Sequence, residues 1–186
     1  MSKTTIPTAG LADDAVDLTS KVTGTLPVAN GGTARTVMTG TPIQVVNSAA
    51  VGGNTASSST SFAASGYSLA ITPVQASSKI FISFNGNGGS ATDNVSLKCK
   101  IYRDIASGGF SALTNSDQQH VYQNAGGQVT AHANFQFLDS PSYSVGNAIT
   151  YKIYIATSAS GTVNLYQESS NRNNLTLMEI SAWYKI

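Results

Sequence analysis

Charge is what this 186-residue chain has least of: Lys, Arg, Asp and Glu make up 10% of it, against roughly 25% in an ordinary soluble protein. Ten basic and nine acidic side chains leave a formal net charge of +1, so no long-range field steers nucleic acid or an acidic membrane surface toward it. Cysteine is nearly missing as well. Cys99 stands alone, which excludes an internal disulfide or a thiolate metal cage and fits synthesis in a reducing compartment. Within its alternating apolar stretch it reads as core. No run of about 18 apolar residues occurs, and "MSKTTIPTAG" lacks an apolar core of signal-peptide type, so neither export nor membrane insertion is expected.

Helix-forming sequence is scarce too. "LADDAVDL" puts Leu11, Ala15 and Leu18 on one helical face, but the segment is too short to be stable as an isolated helix. Residues 1–40 contain no aromatic side chain and are broken by Pro7, Gly10, Gly24, Pro27, Gly31 and Gly32. Such a segment cannot build a core. The expected organisation is an extended stretch over 1–40 and a body over 41–186.

In the body the apolar period is two, as half-buried strands require. "VSLKCKIY" turns Val95, Leu97, Cys99 and Ile101 to one face. "QVTAHANFQF" predicts a single strand with Val129, Ala131, Ala133, Phe135 and Phe137 inward, and "ITYKIYIA" one with Ile149, Tyr151, Ile153 and Ile155 inward. Further strands are expected at 42–48, 58–63, 67–72, 79–85, 117–123, 161–167 and 175–186. The stretches "NGNGG", "NAGG", "TSASG" and "SSNRNN" supply turn chemistry between them. About ten short strands without a credible helix predict an all-β fold, an antiparallel β-sandwich of jelly-roll type.

Chemistry-bearing constellations are thin. His120 and His132 have no second ligand at metal spacing, and His132 alternates with core positions, so it points outward beside Asn134. No Ser sits at a strand-to-helix elbow. Asp93, Asp104, Asp117, Asp139, Glu168 and Glu179 are scattered rather than paired as glycoside hydrolysis needs. "GNGGSA" has the glycines of a phosphate loop without its Lys-Ser/Thr ending. The expectation is a protein without catalysis, metal or cofactor.

The stretch "LADDAVDLTSKVTGTLPVANGGTA" resembles a linker near the amino-terminal side of bacteriophage tail-fibre proteins. The order of "IQVV", "LAITPVQASSKIFISF", "FLDSPS", "YKIYIATSASGTVNL" and "LTLMEISAWYKI" is similar to the carboxy-terminal β-domain of the same group. The resemblance implies a homotrimer in the virion, made in the bacterial host cytoplasm. It further implies an amino-terminal attachment to other virion proteins and a β-head that meets the host. The chain departs from the family in having no long shaft, and in Ala34 where the linker often ends in glycine. A head decoration or an adaptor fibre with a purely structural role is the alternative.

Three copies around an axis would shield Val22, Leu26 and Val28 from water together, with Pro27 interrupting any regular ladder. In "LTLMEISAWYKI" both faces carry apolar groups, as in strands covered on both sides. Leu177, Glu179 and Trp183 share one face and are expected at the trimer contact, with Glu179 bonded to a neighbour's polar groups. If every connection reverses the chain from Pro42 onward, the long loops gather at the end away from the linker. Those loops would carry Phe110, Tyr143, Glu168, Arg172 and Asn173, a set suited to a host surface polysaccharide. Phe110 and Tyr143 could equally plug the end of the core.

Overall fold

A computed structural model describes residues 40–48, 54–124, 126–166 and 173–182. All regular structure among them is strand. In chain order these are β1 (Pro42–Asn47), β2 (Thr55–Ser57), β3 (Ala63–Ile71), β4 (Lys79–Asn85), β5 (Asn87–Ser90), β6 (Val95–Ile105) and β7 (Ser111–Ala112). β8 (Gln118–Gln123), β9 (Val129–His132), β10 (Phe135–Asp139), β11 (Ile149–Thr157), β12 (Val163–Tyr166) and β13 (Asn174–Ile180) follow. Every pairing is antiparallel, so the fold is all-β, as the period-two pattern requires.

Three hydrogen-bonded sheets result. Their orders are β1-β13-β4-β10, β2-β12-β5-β9 and β3-β11-β6, with β7 and β8 both pairing β6. One buried cluster draws on all three, from Ile80, Ile82 and Leu177 through Leu165 to Leu97, Ile101, Ile153 and Ile155. Cys99 lies within it, and burial pushes its thiol up to about 12. The Tyr67 and Phe84 rings meet edge to face at 4.9 Å, joining β3 to β4.

The first two sheets are consecutive stretches of the same ribbons. Only Gly86 separates β4 from β5, and only Ala133 and Asn134 separate β9 from β10. The paired ribbons cross this break in register, with Phe84 opposite Phe135 on one side and Asn87 opposite His132 on the other. At the break the Gly86 amide donates to Asn134 Oδ1 at 3.0 Å, and the Ala133 amide donates to the Gly86 carbonyl at 2.7 Å. The expectation of one strand through "QVTAHANFQF" is thereby corrected. Val129 and Ala131 are exposed, while Ala133 and Phe135 are buried, because the ribbon changes sheets between them.

"NGNGG" is corrected in the same way: it is not a turn but the bend and first residues of β5. A Cβ on Gly86 would meet the Phe84 ring at 2.5 Å, and one on Gly88 would meet Leu97 Cδ2 at 2.2 Å. One on Gly89 would lie 2.7 Å from both the Tyr166 ring and the Val129 carbonyl oxygen. At Gly86 and Gly88 the obstacle is the end of a side chain that would have to shift, and at Gly89 it is also backbone.

The direction of the chain also differs from expectation. Thr55–Ser57, expected within a reversing loop, is a strand, and Ser58–Phe62, expected as strand, is not. β1 runs antiparallel to β13 and β2 antiparallel to β12, while β12 and β13 both run antiparallel to the continuous β5-β4 ribbon. β2 therefore continues in the sense of β1, and the chain does not reverse between them. Ala63–Ile71 is also one continuous strand where two were expected, at 58–63 and 67–72. A single reversal at 58–62 therefore replaces two and inverts the connections that follow as far as 158–162. The long connections at 72–78, 106–117 and 140–148 emerge beside Gly40 and Ser181, whose backbones pair at 3.1 Å. Short turns at 58–62, 91–94 and 158–162 occupy the opposite end, tied by bonds such as Ser158 N to Ser96 O at 3.0 Å.

Gly89→Ala should lower the unfolding free energy by about 1–3 kcal/mol, since the Val129 carbonyl cannot move without breaking the β5-β9 ladder. Urea denaturation of the two proteins checks this; equal midpoints would mean the ribbon has room to spare.

Candidate binding surfaces

The loop residues singled out from the sequence do not converge. Tyr143 is half-buried against the core. Its hydroxyl donates to the Gln75 carbonyl at 2.6 Å and accepts from the Ser78 amide at 2.9 Å, so it ties the 140–148 connection to the 72–78 connection. Asn173 is buried, its side-chain amide donating to the Tyr166 carbonyl, at the bend between β12 and β13. Phe110 lies apart from both, beside Tyr154. Glu168 and Arg172 lie outside the described residues, as do Val22, Leu26, Pro27, Val28 and Trp183.

Leu177 and Glu179 were expected at a contact between copies; both instead face inward within one chain and are fully buried. The Glu179 carboxylate accepts from Gln44 Nε2 at 2.6 Å, from the Val74 and Gln75 amides at 3.1 Å each, and from Ser78 Oγ at 2.8 Å. Burial works against its charge. The hydrogen bonds from Gln44, Val74, Ser78 and Gln75 outweigh that and hold its pKa below the usual glutamate value. Strand alternation explains the correction: Leu175, Leu177 and Glu179 share the inward face, leaving Thr176, Met178 and Ile180 outward.

A second carboxylate is equally committed. Arg103 Nη1 donates to both oxygens of Asp139, at 2.9 and 2.7 Å, and the buried Tyr151 hydroxyl donates to Asp139 Oδ2 at 2.8 Å. Burial, then the Asp139 charge, raises the Tyr151 pKa. Arg103 and Asp139 border an open cleft of about 390 Å³ formed with Leu113, Thr114 and Phe137. With both Asp139 oxygens occupied, they are a buried pair holding β6, β10 and β11 together. His120 stacks near Phe135 at 5.7 Å, and burial lowers its pKa. Among the described residues no three His, Cys, Asp or Glu side chains gather as metal ligands.

Two broad sheet faces remain. On the outer side of β3-β11-β6, Lys100 stands opposite Tyr154 and Lys152 opposite Tyr102. The two tyrosine rings stack across the diagonal at 3.8 Å and 19°. Lys152 Nζ lies 4.9 Å from the Phe110 ring centre, and Lys100 Nζ lies 5.6 Å from that of Phe62. Sequence reasoning named only Phe110 here. The available signal was the tripeptide Lys-Ile-Tyr, present at 100–102 and again at 152–154, which antiparallel pairing about the two isoleucines turns into alternating corners.

The outer side of β1-β13-β4-β10 is different. Val45, Met178, Phe81 and Leu138 are mutual register partners and form one apolar row across all four strands. Val45 is 55% exposed and Leu138 50%. The next row is Asn47, Thr176, Ser83 and Gln136, polar but uncharged. Of the charged residues in these four strands, Asp139 and Glu179 are buried, and only Lys79 is exposed.

No family model, no curated protein and no solved structure matches the chain.

Because the Glu179 pKa is depressed in the folded state, its charge stabilises the protein above the unfolded glutamate pKa of about 4.3, and that contribution is lost as pH falls through the lower folded value. Glu179→Gln should lower the urea midpoint at pH 7 and reduce the further loss between pH 5 and 3. An unchanged acid slope would show that the carboxylate is not charged in the folded protein.

Proposed function

We propose that the chain is the subunit of a homotrimeric bacteriophage fibre or fibre tip. Residues 1–40 attach it to other virion proteins, and the β-body forms a head that meets a host surface polysaccharide. The carrying observation is the outer face of β1-β13-β4-β10, where Lys79, at the start of β4, is the one charged side chain among the described strand residues. A row of four apolar side chains with neutral amide and hydroxyl groups beside it can be buried between copies arranged around a three-fold axis with little like-charge repulsion. Burying the exposed half of Val45 and of Leu138 contributes roughly 1 kcal/mol each. The linker resemblance supports the attachment role. Both ends of the body, Gly40 and Ser181, lie together, as a head on a stalk requires.

The strand order supports a jelly-roll sandwich. Taken pairwise along each ribbon, the strands run β1/β2, β13/β12, β4/β5, β10/β9 in one sheet, facing β3, β11, β6 and β8 in the other. A purely structural role, as an adaptor or head decoration, is favoured by one observation. The end of the body opposite Gly40 and Ser181 carries only short Ser- and Thr-rich turns among the described residues, with no long loops to read a receptor. A map of the intact particle separates the two, by whether the outer face of β3-β11-β6 meets solvent or another virion protein.

Light scattering should give the purified protein a mass of three 19.2 kDa chains, and Val45→Lys combined with Leu138→Lys should yield monomers that still melt cooperatively. A monomeric parent protein would refute the assembly; a variant that remains trimeric would move the contact to another face.

A further inference from the structure

We propose that the outer face of β3-β11-β6 binds an acidic saccharide, with its carboxylate on Lys152 and its ring face against Tyr154. This rests on the host-polysaccharide reading above and gives it a place and a chemical class. Three observations carry it. The stacked Tyr102-Tyr154 pair stands as a rigid ridge, its rings held by each other rather than by the core. Beside it, on β3, the exposed residues are all small: Ala64, Gly66, Ser68 and Ala70. Ser68 lies opposite Lys152 and Ala64 opposite Tyr154, so the ridge drops to a low shelf along which a pyranose can lie. Aromatic faces and small hydroxyl-bearing neighbours are what a sugar's apolar face and hydroxyls require.

The charge on this face is cationic and partly uncommitted. Lys152 has no carboxylate within ion-pair distance among the described residues; its ammonium rests on Phe110 alone. Lys100 meets Asp117 at 3.6 Å, but that carboxylate is more than half exposed, and such surface pairs contribute little. Asp104, the other acid on this face of β6, is held by the Gly109 amide at 2.9 Å. A ligand carboxylate therefore finds the Lys152 ammonium as donor and forms charge-assisted hydrogen bonds that a neutral sugar cannot. A net charge of +1 is too small to hold a nucleic-acid backbone, which needs several phosphate contacts at once.

Saturation-transfer NMR and calorimetry with trigalacturonate and sialyllactose, against neutral maltotriose, test this on the full chain. At least one acidic probe should bind, maltotriose should not, and affinity should fall as salt rises. Lys152→Gln and Tyr154→Ala should each weaken binding about tenfold or more, with unchanged melting and unchanged mass by light scattering. Failure of both acidic probes, equal binding of maltotriose, or indifference to Lys152→Gln would overturn the site. A trimer without saccharide binding would leave the assembly standing and remove this site. Binding lost in the variants with phage adsorption unaltered would keep the site and remove its role on the host.

Discussion

One buried carboxylate organises the end of the body where the chain enters and leaves. Glu179 takes four donors from β1 and the 72–78 connection, and Tyr143 then fastens the 140–148 connection to the same segment. An ionised group at that depth is tolerable only when its lone pairs are all engaged. The backbone of 74–78 is therefore held in one arrangement, and with it the start of β4. Because β4 is central in its sheet, the flat face across β1, β13, β4 and β10 inherits its order from that carboxylate.

The two outer faces divide the chemistry between them. Charge is nearly absent from one and is concentrated, with aromatic rings, on the other. Both arise from the same alternation: wherever an inward position holds Ile, Leu or Phe, the adjacent outward position is free to carry what the surface needs. In β4, β10 and β13 that is Ser, Thr, Gln and a single apolar row. In β6 and β11 it is Lys and Tyr.

Strand type and core membership were legible in the sequence because period-two alternation is a local signal; Ile149, Tyr151, Ile153 and Ile155 are inward as their spacing demands. Long-range facts were not. "NGNGG" reads as a turn because glycine has two uses, positive φ and absence of bulk, and only the neighbours Leu97 and Tyr166 reveal the second. The loop clustering failed because one reversal at 58–62 replaces the two expected on either side of 58–63, and parity carried that error to the connections as far as 158–162. Glu179 was legible as a carboxylate in need of partners but not as one whose partners lie 101 to 135 residues away in its own chain. Tyr102 and Tyr154 escaped notice because outward positions of a strand look alike until their cross-strand neighbours are known.

The repeated Lys-Ile-Tyr has a geometric consequence. Antiparallel pairing centred on Ile101 and Ile153 creates a local dyad, and half a turn about it exchanges Lys100 with Lys152, Tyr102 with Tyr154, and the flanking Phe62 with Phe110. The symmetry stops at these six side chains: Asp117 meets Lys100 while no acid meets Lys152 among the described residues, and the small residues of β3 flank one side, so the two halves of the block differ in what surrounds them.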